Sequence, residues 1–253
     1  MEAWFDQYLG RFRSGEPRVR ANVDLKDRHS RRVARDAARI AASLDLPEDE
    51  AALARIAALL HDVGRFEQAW EQGSFDDRVA GDHGERGAVI LAQENVLGAL
   101  DAGDREAVLA AVRHHNDARL PAGLGGKAGR IARIVRDADK LDVLGVLADF
   151  YAHPGRHAGE HLEYVAEEGE DVSPAVLEAV RGGRCVDIRD VRNRIDHKVM
   201  RLSWVFDLNH PRTFLLLGER GHLEAIASTL PDAPRATEAK RLTLAQAKTP
   251  PAS

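Results

Sequence analysis

The stretch LARIAALLHDVGRF at residues 53–66 joins an apolar helical repeat to a histidine–aspartate pair. Its leucines, isoleucine and alanines recur at three- and four-residue spacings, which predicts an amphipathic helix with one buried face. His61 continues that buried stripe, and Asp62 follows it on the same last turn. We expect Gly64 to end the helix, because glycine is the common terminator there. The segment therefore predicts a polar pair at the inner end of a buried helix.

Side chains of metal-ligand type recur on the inner faces of neighbouring predicted helices. They share a helical spacing with apolar residues of their own helix, and they are His29, His115 and Asp139. Each of these alone is more often an ordinary core or capping residue. As a set with His61 and Asp62 they need a common explanation, because burying an ionised carboxylate is unfavourable unless it is paired. A divalent cation would supply the partner.

Composition supports an all-α fold. The chain has 253 residues, is rich in alanine, arginine, leucine and glutamate, and contains 5% aromatic residues, which favours helices. We predict a helical core carrying the candidate site over residues 1–151. A C-terminal helical extension packed on that core is predicted over 152–230. The stretch 231–253, with its Pro, Ala, Thr and Ser residues, is predicted to be a mobile tail.

Charge and hydropathy argue against several functional classes. Basic and acidic residues are interspersed and the net charge is −5, whereas a nucleic-acid-binding protein usually concentrates basic residues on one face. No run approaches the roughly 18 apolar residues of a membrane span, and the acidic N-terminus is unlike a signal peptide. The single cysteine, Cys185, leaves no partner for an intrachain disulfide. We expect a cytoplasmic protein that binds neither nucleic acid nor membranes.

Five short motifs follow one another along about residues 24–151. They are His29, His61-Asp62-Val63-Gly64-Arg65-Phe66, Asp82-His83-Gly84-Glu85-Arg86-Gly87, Arg113-His114-His115-Asn116 and Arg136-Asp137-Ala138-Asp139-Lys140-Leu141-Asp142. In order and spacing they resemble the HD superfamily of metal-dependent phosphohydrolases. The histidine–aspartate pair alone would be a weak signal, but five ordered motifs are specific. The resemblance implies an HD-domain helical bundle with additional C-terminal helices.

The resemblance also implies which residues bind metal. Ligands of a first metal would be His29, His61, Asp62 and Asp139. A second metal, present in only some members of the superfamily, would add His83 and His115, with Asp62 bridging the two ions. His114 is a weaker candidate than His115, because adjacent residues of a helix diverge by about 100°. One or two divalent transition metals per chain are therefore expected.

The ligand types and the resemblance together imply a reaction. Imidazole and carboxylate ligands suit iron, manganese, zinc, cobalt or nickel, and such metals turn a bound water into a hydroxide that attacks phosphorus. The predicted substrate is a small phosphorylated compound, a nucleotide or a related phosphoester. Asp62 and Arg65 are the predicted catalytic residues. Arg65 would also hold a substrate phosphate, as would Lys140, although an ion pair closing the helix end explains Arg65 equally well.

Two other functions stay open at this point. Some relatives with the same helical cage and two irons use dioxygen to cleave carbon–carbon or carbon–phosphorus bonds. A nucleotide-binding regulatory module with little turnover would keep the same ligands. After His115 the chain reads Asn116-Asp117-Ala118-Arg119-Leu120-Pro121. It lacks the glycine-tyrosine-proline signature of cyclic-di-GMP hydrolases, which argues against that substrate. No motif indicates the oligomeric state.

Overall fold

The structure, a computed structural model, describes residues 1–14, 16–73, 75–153 and 167–251. Within these residues every regular element is a helix, which confirms the predicted all-α fold. The α-helices are α1 Glu2–Gly10, α2 Pro17–Ala41, α3 Glu48–Leu60, α4 Val63–Gln72, α5 Asp77–Ala80, α6 His83–Gln93, α7 Ala102–His114, α8 Gly126–Ala152, α9 Pro174–Arg181, α10 Arg194–Leu202, α11 Pro211–Arg220, α12 His222–Ser228 and α13 Pro234–Gln246. Among them, none combines the length and apolar character needed to cross a membrane.

The chain divides into two compact units. The first covers Met1–Asp139, and the second begins at Lys140 and comprises 140–153 and 167–251 of the described residues. The division lies inside the long helix α8, before the boundary that the sequence predicted at residue 151. The first part of the predicted C-terminal extension, 154–166, lies outside the described residues.

In the first unit, α2, α3, α4, α6 and α7 pack against one another. The N-terminal helix α1 closes one side of this unit with aromatic side chains. Phe5 and Phe66 are fully buried and meet edge to face, with ring centroids 5.9 Å apart. Each such buried phenylalanine stabilises the fold by about 1.5–3 kcal/mol. This packing fixes α4, and with it the histidine–aspartate pair that directly precedes α4.

Gly64 has a different role from the predicted one. Helix α3 ends at Leu60, and a new helix, α4, begins at Val63, so Gly64 lies within the first turn of α4. A Cβ atom on Gly64 would lie 2.3 Å from the carbonyl oxygen of His83. The prediction of a terminator was wrong. Glycine is present because the backbones of α4 and α6 approach too closely for any side chain.

In the second unit, most of the described residues 231–251 are helical. The sequence predicted a mobile tail over 231–253, but α13 occupies Pro234–Gln246 instead, packed on α9, α10 and α12. Its buried residues are Ala236, Ala239 and Thr243, which recur at three- and four-residue spacing. The prediction failed because this buried face is made of small side chains, which resemble a low-hydrophobicity tail in sequence.

Candidate metal centre

Six of the predicted ligands meet at one place in the first unit. The helices deliver them mainly at their ends, and they are His29 in α2, His61 and Asp62 between α3 and α4, His83 at the start of α6, His115 just after α7, and Asp139 in α8. All are buried except Asp139, whose side chain is 23% exposed. Five of the six side chains are therefore shielded from solvent, and the carboxylate of Asp139 is partly exposed.

Four of these side chains form a first group of ligand atoms. The Nε2 atom of His29 lies 3.2 Å from Nε2 of His61 and 3.2 Å from Oδ1 of Asp139. The Oδ2 atom of Asp62 lies 3.4 Å from each of the two histidine Nε2 atoms. Ligand atoms about 2.1 Å from one metal ion are separated by about 3.0–3.4 Å at octahedral to tetrahedral angles. The first group has the spacing of a metal site.

The remaining two histidines form a second group around the other oxygen of Asp62. The Nε2 atoms of His83 and His115 are 2.9 Å apart. Oδ1 of Asp62 lies 3.3 Å from Nε2 of His83 and 3.7 Å from Nε2 of His115. The carboxylate of Asp62 therefore lies between the two groups and presents one oxygen to each.

The hydrogen bonds of the imidazole rings determine which ring nitrogen is available to bind a metal. The Nδ1–H of His61 donates to the carbonyl oxygen of Ala58, and that of His115 donates to the carbonyl oxygen of Val112, both at 2.7 Å. In its neutral form, with the proton on Nδ1, each ring presents a lone pair on Nε2. The Nε2 atom of His61 faces that of His29, and the Nε2 atom of His115 faces that of His83. Two lone pairs that face each other repel unless a metal ion or a proton lies between them. The donor set therefore fits a divalent transition metal.

Electrostatics keep the carboxylates ionised. Burial opposes the charge of Asp62, but Lys26 and the histidines outweigh it and hold the pKa of Asp62 well below its usual range. The pKa of Asp139 is likewise held low, against burial, by hydrogen bonds from two histidines. Burial lowers the pKa of His115 to about 4. At neutral pH the centre thus offers two carboxylates and at least one neutral imidazole as ligands.

His61 is the exception among the histidines. Burial acts to lower its pKa, but the carboxylates of Asp62 and Asp139 overcome this and raise the pKa to about 9. In the metal-free protein a proton on His61 would therefore offset part of the negative charge. Because ligand histidines must be deprotonated, a metal would have to displace that proton.

Asp77 contacts the second ligand group and is not among the residues predicted from the sequence. Its carboxylate accepts a hydrogen bond from Nδ1 of His83 at 2.8 Å and pairs with Arg65 Nη1 at 2.8 Å. Burial opposes its charge, but His83 and Arg65 lower the pKa of Asp77 to about 2. Gln68 Nε2 donates to the same carboxylate at 3.0 Å. A fixed anion behind a ligand histidine sets its tautomer and orientation, as outer partners do in metal sites.

A buried arginine fixes the end of α7 that carries His115. Arg136 Nη1 donates to the carbonyl oxygen of His115 at 3.0 Å and to that of Asp117 at 2.6 Å. The last carbonyl groups of a helix have no partner within the helix. Arg136 supplies that partner from α8 and so holds His115 in place.

The three other predicted site residues, Arg65, His114 and Lys140, have partners of their own in the structure. The terminal nitrogens of Arg65 contact Asp77, Gln68 and the carbonyl of Phe75. Its Nε atom lies 3.8 Å from Oδ1 of Asp62, and 12% of the side chain is exposed. The Nδ1 atom of His114 contacts Asp117 Oδ2 at 2.8 Å, and this ring joins neither group of ligand atoms. Lys140 belongs to the second unit, where Nζ donates to Asp207 Oδ2 at 2.7 Å.

Comparison with known families gives one match. The family model described as HD domain matches residues 27–144, which include all six residues of the two ligand groups. Neither a curated protein nor a solved structure matches the chain.

Proposed function

Because the chain contains an HD domain over residues 27–144, and this domain is typical of metal-dependent phosphohydrolases, we propose that the protein hydrolyses a small phosphorylated compound. The substrate class would be a nucleotide or a related phosphoester. The observation that carries the proposal is the position of Asp62, whose two oxygens face two separate groups of histidine nitrogens. A carboxylate so placed can bridge two cations.

Each of the two ligand groups would hold one metal ion. A first metal would be held by His29, His61, Asp62 and Asp139, and a second by His83, His115 and Asp62. Iron, manganese, zinc, cobalt and nickel all accept imidazole and carboxylate ligands. When bound, such ions lower the pKa of a water molecule and neutralise charge on phosphoryl oxygens.

The chain itself would supply orientation. Asp62 stays ionised through its cationic neighbours, and Asp77 fixes the ring of His83. Arg65 acts through Asp77 in this proposal, as a positioning residue, because its guanidinium pairs with that carboxylate. Arg65 would thus hold Asp77, and through it His83, in place instead of contacting a substrate phosphate directly.

The test is phosphate release by protein purified without chelators or a metal-affinity tag. Its metal content per chain would be measured first, and each candidate metal would then be added back to stripped protein. We expect inorganic phosphate from p-nitrophenyl phosphate or from members of a nucleotide panel, at equal rates under argon and in air. Oxygen uptake coupled to product formation would reject hydrolysis and show that the protein is a di-iron oxygenase. Nucleotide binding without turnover, with every metal tried, would show that the protein is a nucleotide-binding regulatory module.

Asp77 gives a prediction about the second ligand group. Asp77→Ala removes the acceptor from Nδ1 of His83, and we expect affinity for the metal at His83 and His115 to fall about 10- to 100-fold. Asp77→Asn keeps an oxygen acceptor and should lose less. Metal titration followed by metal analysis of the washed protein measures both changes.

The matched control is Glu71→Ala, which removes a carboxylate that contacts Arg86 on the surface of α4. This variant should bind metal as the wild type does. Wild-type affinity in Asp77→Ala would show that the hydrogen bond to His83 has no part in metal binding.

A further inference from the structure

Lys26 is a cationic residue at the centre that belongs to none of the five motifs. It lies on α2, three residues and nearly one turn before His29. Its Nζ atom donates to Oδ2 of Asp62 at 2.7 Å, and its side chain is 17% exposed whereas that of Asp62 is 3% exposed. The ammonium group is therefore hydrogen-bonded to a buried oxygen of the first group, while the lysine side chain is itself partly exposed to solvent.

The ammonium group of Lys26 has hydrogen-bonding capacity to spare. A protonated lysine carries three N–H donors. Among the residues that the structure describes, Asp62 is the acceptor that Lys26 contacts, and the Phe75 ring lies 5.5 Å from Nζ as a cation–π neighbour. Two donors are thus left for an acceptor from outside the chain. The terminal nitrogens of Arg65, by contrast, contact acceptors on α4 and α5 and in the loop between them, while its Nε atom lies 3.8 Å from Oδ1 of Asp62.

Charge balance favours a second partner for Lys26. Without metal, Lys26 offsets the charge of Asp62. Cations held by the two ligand groups would neutralise the charge of Asp62, and Asp62 would then no longer need the ammonium group as its counter-ion. An ammonium group on a flexible stem at the edge of the centre is then suited to a multiply charged oxyanion.

We propose that Lys26 binds a phosphoryl oxygen of the substrate beside the first ligand group. This inference rests on the proposed function and adds a substrate-binding residue to it. Lys26 shares Oδ2 of Asp62 with the first group, so an anion held there by Lys26 lies next to the ligand atoms. The class of ligand that it recognises is a phosphate group, either a free ion or part of a phosphoester.

The experiment compares Lys26→Met with Lys26→Arg in the metal-loaded protein. Methionine keeps an unbranched stem against Phe75 but removes the charge, and arginine restores it. We expect Lys26→Met to keep the wild-type metal content and to weaken binding of inorganic phosphate about 10- to 100-fold, the range for a lost hydrogen bond to a charged group. The KM for p-nitrophenyl phosphate should rise with it. Lys26→Arg should recover part of the affinity. Calorimetry and metal analysis measure these effects.

The matched control is Arg28→Met, which removes one positive charge from an exposed position on α2 and should leave phosphate affinity unchanged. Wild-type phosphate affinity and KM in Lys26→Met would overturn the inference, as would loss of metal from that variant, which would make Lys26 a structural partner of Asp62. Failure of the metal-loaded wild type to bind phosphate would overturn it too. Phosphate binding that depends on Lys26, without hydrolysis of any ester, would reject the proposed phosphohydrolase and keep the binding site.

Discussion

Asp62→Ala is expected to abolish metal retention and to lower turnover about 1,000-fold or more, which corresponds to about 4 kcal/mol of activation free energy. Asp62 is the residue whose two oxygens face both groups of histidine nitrogens. Removal of any other ligand side chain would leave this shared carboxylate in place between the groups. Alanine at position 62 leaves neither group with its shared carboxylate.

Metal content, thermal melting and phosphate release would be measured together on Asp62→Ala. In the wild type, metal present at 100 times its dissociation constant should stabilise the fold by about 2.7 kcal/mol. The same addition should not shift the melting temperature of the variant. Asp24→Ala, which changes an exposed carboxylate on the same helix as His29, should behave as the wild type. Full metal content and turnover in Asp62→Ala would refute both the bridging role and the proposed function.

Five of the six ligands could be predicted because their register is local. His29, His61, His115 and Asp139 lie at helical spacing from apolar residues, and Asp62 follows His61, so the pattern that buries the helix also points the ligand inward. His83 was implied by the family resemblance alone. The resemblance to a known family then grouped them. The residues that hydrogen-bond these ligands from outside the centre show no such pattern in the sequence. Asp77 lies in a polar segment that resembles an ordinary loop, and its contact with His83 depends on how α4, α5 and α6 pack.

The position of Lys26 could be predicted from the sequence only in part. It shares a helix face with His29, three residues away, so its proximity to the centre follows from helical geometry. Its sequence neighbours are charged, however, and α2 carries many arginines along its exposed side. The contact with Asp62, which the sequence does not show, distinguishes Lys26 from the exposed arginines of that helix.

Gly64→Ala is expected to destabilise the protein by about 1–3 kcal/mol, the range for overpacking a well-packed site. The added Cβ would lie 2.3 Å from the carbonyl oxygen of His83 and 3.0 Å from the backbone nitrogen of Gly87. Both are backbone atoms of α6, so relief requires the two helices to separate. Because His83 begins α6, the separation should also weaken metal binding by the second group.

The sign of this effect discriminates between the two roles considered for Gly64. Alanine is favoured over glycine within a helix by up to about 1 kcal/mol, so helix propensity alone predicts that Gly64→Ala stabilises α4. Gly10→Ala is the matched control, since a Cβ there would meet nothing within 4 Å, and it should be neutral or slightly stabilising. Urea unfolding of the metal-free proteins gives both free energies. A stabilised Gly64→Ala protein with unchanged metal affinity would rule out the close approach of α4 and α6. Loss of stability at Gly64 alone would show that this glycine is required by that approach, which brings His83 to Asp62.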